Sequence, residues 1–171
     1  MRLTLKRILL GGLALVVALV AFLVFGRGGN SMRLDAQISG TATGAQNEAN
    51  GQFTGSGTGV ANAPFGNVTL SGSGSGGVQQ ESSCATFDAS GELQTAVGTL
   101  QLELRKPGRA CFTASSLNQA DGSGELQASA VVAAVGADGS LLGRHGNLKA
   151  RGTFNPDTGS FTVRLTGGLT R

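Results

Sequence analysis

Apolar and polar residues alternate along much of the chain after residue 32, and this period of two is the feature that most restricts the fold. The segment 33–39 places Leu34, Ala36 and Ile38 on one face. The segment 99–105, TLQLELR, is the clearest case, because its three leucines are separated by Gln and Glu. Strict alternation is typical of strands with one buried face. No helical period of useful length follows residue 25, so the sequence predicts an all-β domain.

Turn residues divide this region into about seven to nine short strands, at intervals near a dozen residues. The segment 106–109, KPGR, predicts a type II turn between two strands, with Pro107 and Gly108 at its centre. Segment 89–91 predicts another turn. Segment 155–159, NPDTG, predicts a hairpin whose Gly159 takes the left-handed conformation.

The strand spacing fits either a small antiparallel β-barrel of about eight strands or a β-sandwich. A closed barrel is favoured because closure removes the unpaired sheet edges that invite aggregation. Abundant Gly and Ala at inward positions suits a narrow barrel filled by side chains.

An uninterrupted apolar run of 18 residues occupies positions 8–25, ILLGGLALVVALVAFLVF. As a helix it would be about 27 Å long, close to the roughly 30 Å hydrocarbon core of a bilayer. Arg2, Lys6 and Arg7 precede it and only Arg27 follows closely, which places the N-terminus in the cytoplasm. A cleaved signal peptide is the alternative, but the run is long and no Ala-x-Ala site follows.

The sequence therefore predicts four segments. Residues 1–7 form a cytoplasmic basic N-terminus and residues 8–25 a transmembrane signal-anchor helix. Residues 26–32 form a Gly-rich linker, and residues 33–171 an extracytoplasmic β-barrel domain. We expect a single-pass membrane protein that contacts the lipid bilayer through its N-terminal helix.

The charge distribution argues against a nucleic-acid partner. The sequence pI is about 9.4, but the chain from Ser31 onward contains nine basic and ten acidic residues, which gives a net charge of −1. The basic pI therefore belongs to the anchor and not to a surface that binds phosphates of nucleic acid.

The two cysteines, Cys84 and Cys111, are predicted to form a disulfide because the compartment outside the membrane is oxidising. If Phe87 and Phe112 face the core, both cysteines point to the outer face, where neighbouring strands can bring them together. Two buried free thiols are the alternative.

Few residues carry the patterns of catalysis or metal binding. His145 is the single histidine and has no ligand at metal-site spacing, so no metal or cofactor is predicted. The carboxylates are scattered, and no catalytic residue is assigned. Arg105, Lys106 and Arg109 cluster at the predicted turn. They are either a solvated hairpin tip or a contact site for anions, such as lipid headgroups or a polyanionic envelope polymer.

Three segments, FTGSGTG at 53–59, PFGNVTLSG at 64–72 and the ending from 143 to 163, resemble one group of proteins. They are similar to bacterial Gly/Thr-rich barrels related to the allene oxide cyclase and dirigent group. The resemblance implies an eight-stranded antiparallel barrel, often with a central cavity. It carries no catalytic position onto any residue here.

We expect a protein with a binding or structural role at the cell envelope rather than an enzyme. The alternatives are a cyclase or isomerase-like enzyme and a carrier of a small apolar ligand, both of which would use a barrel cavity. The barrel interior discriminates between them, because the alternatives need a cavity, and the enzyme needs polar groups that converge on it.

Overall fold

The computed structural model describes residues 31–45, 51–78, 84–112, 125–155 and 157–171. They form nine strands and a 3₁₀ turn at Gly139–Leu141. The predicted cytoplasmic segment and transmembrane helix lie outside these residues. Within the described ranges, no helix has the length and apolar character needed to cross a membrane.

The strands are β1 (Met32–Ala45), β2 (Gly51–Ala61), β3 (Asn67–Val78), β4 (Cys84–Thr95), β5 (Gly98–Leu104), β6 (Gly108–Phe112), β7 (Leu126–Ala137), β8 (His145–Phe154) and β9 (Ser160–Thr170).

The sheet closes on itself. Strands β1 to β4 and β7 to β9 pair with their chain neighbours, and β9 returns to pair with β1. Both β5 and β6 lie between β4 and β7, where each pairs with both neighbours. The nine strands therefore fill eight positions of a closed antiparallel barrel. The predicted eight-stranded barrel is confirmed, and the sandwich alternative is wrong.

The predicted turn at 106–109 is wrong, because β6 continues in the direction of β5 instead of returning. Glu103 pairs with Ser90 and Gly108 pairs with Phe87. The chain therefore advances five residues from Glu103 to Gly108, while the facing stretch of β4 contains only three steps. The extra residues form a bulge, and Gly108 does not have the positive φ that a type II turn requires. A bulge and a hairpin turn use the same Pro and Gly signals, so the local sequence did not separate them.

The predicted turn at 89–91 is also wrong, since these residues lie within β4. Gly91 is the register partner of Gly72 on β3 and of Leu102 on β5. The glycine is used for close approach of strands inside the barrel and not for a change of chain direction. The chain reverses later, at Ala96 and Val97 between β4 and β5.

The predicted hairpin at 155–159 is confirmed. Gly159 has a φ of 67°, and the chain connects β8 to β9 through this segment. The Asn155 side-chain oxygen accepts hydrogen bonds from the backbone N–H groups of Asp157 and Thr158, at 2.9 and 3.1 Å. This is the local side-chain to backbone bonding for which Asn is favoured in turns.

The apolar core lies toward the end of the barrel that contains Met32 and the loops after β2, β4 and β7. Phe65 and Leu141, from two of these loops, are fully buried and cover this end. The strands supply the rest of the core, including Leu34, Ile38, Leu93, Leu100, Leu148 and Leu169, which are also fully buried. We call this the closed end.

Toward the opposite end, phenylalanine rings occupy the space that glycines leave on neighbouring strands. A side chain at Gly74 would overlap the ring of Phe53, and one at Gly108 would overlap the ring of Phe87. Glycine in a strand interior marks close approach of another group, and an aromatic ring over it replaces the missing contact. The Gly-rich strands therefore belong to the barrel, and glycine fits their inward positions because rings or neighbouring backbone occupy the space.

Candidate functional site

The barrel interior is lined by apolar residues. The register and burial of the strands place Gly, Ala, Val, Leu, Ile, Met or Phe at each inward position that the structure describes, apart from Thr95 at the end of β4. The Thr95 hydroxyl donates to the carbonyl of Gly98 at 2.7 Å, within the turn to β5. These strands therefore direct no further hydrogen-bonding side chain into the interior.

Four inward phenylalanines lie toward the end opposite the closed end. Phe53, Phe87, Phe154 and Phe161 are each half-buried, in contrast to the fully buried Phe65. Phe154 and Phe161 are direct register partners on β8 and β9. These four rings therefore keep part of their apolar surface exposed in the described part of the chain.

The predicted anionic contact residues lie on the outer surface at the bulge between β5 and β6. Arg105, Lys106 and Arg109 are all exposed. The Arg105 backbone N–H donates to the carbonyl of Val131, and its Nε donates to the side-chain oxygen of Asn147 at 3.1 Å. Arg105 therefore reaches across β7 to β8. The structure places the three residues at and after a bulge within the sheet instead of at a solvated hairpin tip.

The barrel register brings other cations next to this bulge. Arg109 on β6 pairs with Ser129 on β7, and Ser129 pairs with Arg151 on β8. Val131, two residues along β7, pairs with Lys149. Lys149 and Arg151 are exposed, and sequence reasoning did not assign them to the site. The alternation within β8 indicates that both face outward, but only the register shows which residues lie beside them.

Charge is segregated around the barrel. Strands β6 to β9 carry four basic residues, Arg109, Lys149, Arg151 and Arg164, and no acidic residue within their bounds. Strands β2 to β5 carry three acidic residues, Asp88, Glu92 and Glu103, and no basic residue. A near-neutral net charge therefore conceals two outer faces of opposite sign.

Arg164 differs from the other cations on its face because it has a carboxylate partner. Its Nε and Nη2 donate to the two oxygens of Asp35 at 2.9 and 2.8 Å. These hydrogen bonds hold the pKa of Asp35 below its ordinary value and raise the pKa of Arg164. Arg164 is 63% exposed and Asp35 is 34% exposed, so water and salt screen the pair.

The acidic face has a shallow polar groove. Hydroxyl groups line up across the strands, as in the register series Thr43, Thr54, Ser73 and Ser90, which ends at Glu103 on β5. Two adjoining depressions, of about 360 and 530 Å³, share Ser73, Ser90 and Glu103. The floor is shallow because the side chains that form it are short.

Glu92 lies on the wall of this groove in a fixed position. Its two carboxylate oxygens accept hydrogen bonds from the amides of Gln94 and Gln101, both at 2.9 Å. The bond from Gln94 and then that from Gln101 lower the pKa of Glu92. The carboxylate therefore stays ionised, which suits a fixed charge and not a general acid.

Cys84 and Cys111 are register partners on β4 and β6, with their sulfur atoms at disulfide-bonding distance. The predicted pairing is confirmed. Phe87 and Gly108 are also register partners, and both face the interior three residues from the cysteines. The odd offset directs the disulfide to the outer face, as strand parity predicts.

His145 is exposed at the start of β8, where its carbonyl accepts a hydrogen bond from the Thr170 hydroxyl at 3.4 Å. Among the described residues, no group of three or more His, Cys, Asp or Glu side chains is placed to hold a metal ion.

Comparisons with protein-family models, with curated proteins and with solved structures gave no match to this chain.

Proposed function

We propose that this chain is a membrane-anchored binding protein that holds its barrel at the extracytoplasmic surface and works through the outer face of that barrel. The observation that carries this proposal is the apolar interior. A reaction inside the barrel needs proton donors, acceptors or charged groups near the substrate. The inward positions of the described strands supply none besides Thr95, whose hydroxyl is engaged, while the outer faces supply charged and hydroxyl groups.

The membrane attachment in this proposal rests on the apolar segment 8–25 and the basic residues before it. The extracytoplasmic location has a second support in the pairing of Cys84 with Cys111, since structural disulfides persist in oxidising compartments. The two arguments are independent, because one uses the N-terminal sequence and the other uses the barrel.

Fractionation of cells tests the proposal. The full chain is compared with a form in which residues 1–31 are replaced by a cleavable secretion signal. We expect the second form to remain with the cell envelope through contacts of the barrel, and to be released by high salt. Recovery of this form in the soluble extracytoplasmic fraction at low salt would contradict a binding role at the envelope.

The half-buried phenylalanines favour a second candidate function, the carriage of a small apolar ligand. Phe53, Phe87, Phe154 and Phe161 would provide apolar contacts without polar anchors. Native mass spectrometry of the chain purified from its host tests this candidate. A stoichiometric apolar adduct that is lost in Phe53→Ala and Phe161→Ala would support it, and an adduct-free mass would contradict it.

A cyclase or isomerase-like activity has weaker support. It shares the interior with the carrier function, but it also needs polar groups there. The inward positions of the described strands supply one polar side chain, Thr95, and its hydroxyl is bonded within the turn to β5.

A further inference from the structure

We propose that a strip along β7 binds a linear polymer that carries phosphate groups. The strip consists of Ser129 and Val131, which form its floor, and of the cations on the bulge and the strands that flank β7. On one side are Lys106 and Arg109, on the other are Lys149 and Arg151, and Arg105 crosses β7 at one end of the strip to donate to Asn147. We call these seven residues the basic strip. The inference rests on the proposed binding role and identifies the partner.

The floor of the strip is lower than its sides. Ser129 and Val131 are short, and both are exposed, Val131 to 46%. Their register partners on the two flanking strands are the long side chains of Arg109, Arg151 and Lys149. Neighbouring strands are about 4.8 Å apart, so cations on the two sides of β7 are separated by about 10 Å at the backbone. A chain of that width or less can lie above β7 between them.

Most of the charge of the strip is not neutralised by the protein. Among the described residues, no carboxylate contacts Lys106, Arg109, Lys149 or Arg151, and Arg105 donates only to the amide of Asn147. Arg151 and Arg164 are direct register partners, and like charges placed opposite each other destabilise a sheet. The ion pair with Asp35 neutralises the charge of Arg164, whereas Arg151 has no such partner in the described part of the chain.

Phosphate matches this geometry better than carboxylate. The non-bridging oxygens of a phosphate point in different directions, so one group can contact cations on both sides of β7. A carboxylate is planar and presents its two oxygens to one side. Arginine forms bidentate hydrogen bonds with phosphate, and three of the five cations are arginines. The Ser129 hydroxyl provides a donor at the floor between them.

Three other occupants are less well matched. A flat bilayer would meet a convex barrel at few of these residues. The described surface of the strip has no aromatic side chain on which nucleic-acid bases could stack. The acidic face of a second copy is the remaining candidate. On that face Asp88 already accepts a hydrogen bond from the Ala89 N–H, and Glu92 accepts two from glutamines.

The test uses the full chain in a non-ionic detergent, with inorganic polyphosphate as the probe. We expect binding that weakens with salt, as for any contact that releases counterions. The double variant K149Q/R151Q removes two cations from the strip and should weaken polyphosphate binding about tenfold, with a salt slope smaller by about 1 to 2. The variant S129F keeps every charge and fills the floor, so it should weaken binding as well.

The matched control is R33Q/R171Q, which removes the same charge from two exposed positions outside the strip. We expect its polyphosphate affinity to stay within about twofold of the native chain. Equal weakening by the two double variants would show a response to net charge alone and would overturn the inference. Since the strip residues are exposed, the variants should fold, and unchanged circular dichroism with an intact disulfide verifies this.

The remaining outcomes separate the partners. Binding to detergent micelles that contain phosphatidylglycerol, without polyphosphate binding, would identify a lipid surface and overturn the inference. A change of sedimentation coefficient in K149Q/R151Q without polyphosphate binding would identify a second copy and overturn it too. If polyphosphate does not bind but the barrel still stays with the envelope, the inference fails and the proposed function stands. Loss of polyphosphate binding together with loss of envelope association would contradict both the inference and the proposed function.

Discussion

The ring of Phe87 on β4 lies over the backbone of Gly108, its register partner on β6. This contact joins β4 to β6, the strand that follows the bulge, and it lies three residues from the disulfide between Cys84 and Cys111 on the same two strands. An added Cβ at Gly108 would overlap several atoms of the ring. Only glycine leaves room for the ring in its present position.

We therefore predict that Gly108→Ala lowers the free energy of unfolding by about 1–3 kcal/mol, the usual cost of overpacking a well-packed site. Urea unfolding followed by circular dichroism measures it. The control is Gly168→Ala on β9, where an added Cβ meets nothing within 4 Å. The control should change stability by less than about 0.5 kcal/mol. Equal effects of the two variants would show that the Phe87 contact is not the cause.

Much of this part of the barrel was predictable, but its path was not. The alternation in 99–105 predicts β5, and the two cysteines predict their own pairing. The local signals of Pro107 and Gly108 indicated a hairpin, and the chain instead continues in the same direction. A bulge depends on the register of two neighbouring strands, and register is a relation between distant segments that local turn signals do not contain.

The disulfide between Cys84 and Cys111 should contribute substantially to stability. It closes a loop with a sequence separation of 27 residues, for which the chain-entropy relation gives about 3–4 kcal/mol. We predict a loss of this size in the double variant C84S/C111S. Urea unfolding of the native chain with and without reductant provides the matching comparison. Unchanged unfolding in both experiments would mean that the bulge and the Phe87 contact alone hold β4 and β6 together.

The candidate site was predictable only in part, because its residues come from separate strands. Arg105, Lys106 and Arg109 are close in sequence and were found as a cluster. Lys149 and Arg151 are about forty residues away. Their outward direction follows from the alternation in β8, but their position beside β7 follows from barrel closure. The short side chains of β7 gave no signal by themselves, since Ser and Val at outward positions are ordinary.

The Asp35–Arg164 pair predicts a specific pH response. Arg164 holds the pKa of Asp35 below its ordinary value of 3.8. A carboxyl whose folded pKa lies below its unfolded pKa stabilises the fold above the unfolded value, and this contribution is lost as the pH falls through the folded value. We predict that Arg164→Gln raises the pKa of Asp35, as measured by NMR titration of its side-chain carboxyl carbon.

The control for this titration is Arg151→Gln. Arg151 is the register partner of Arg164 but makes no hydrogen bond with Asp35. We expect the pKa of Asp35 to change far less in this variant. A rise of similar size in both variants would show that the general positive charge of the face, and not the bidentate contact, lowers the pKa.

Asn62, in the loop after β2, uses its side chain to extend the pairing of β1. Its side-chain oxygen accepts from the backbone N–H of Asp35 at 2.7 Å, and its side-chain nitrogen donates to the carbonyl of Arg33 at 2.8 Å. The backbone N–H of Asn62 also donates to the carbonyl of Asp35 at 3.0 Å. The amide thus supplies both a donor and an acceptor to β1 beyond the last paired residue of β2.

We predict that Asn62→Ala lowers the free energy of unfolding by about 1–3 kcal/mol, because a net hydrogen bond contributes about 0.5–1.5 kcal/mol and the two side-chain bonds to β1 are lost. Asn62→Asp should be intermediate, since a carboxylate can still accept from Asp35 but cannot donate to Arg33. Asn67→Ala on β3 is the control, because the exposed Asn67 side chain makes no hydrogen bond to the described residues.

Native-state hydrogen exchange provides a second measurement. The Asp35 amide should lose protection in Asn62→Ala and keep it in Asn62→Asp. Retained protection in both variants would show that β9, and not Asn62, holds this end of β1.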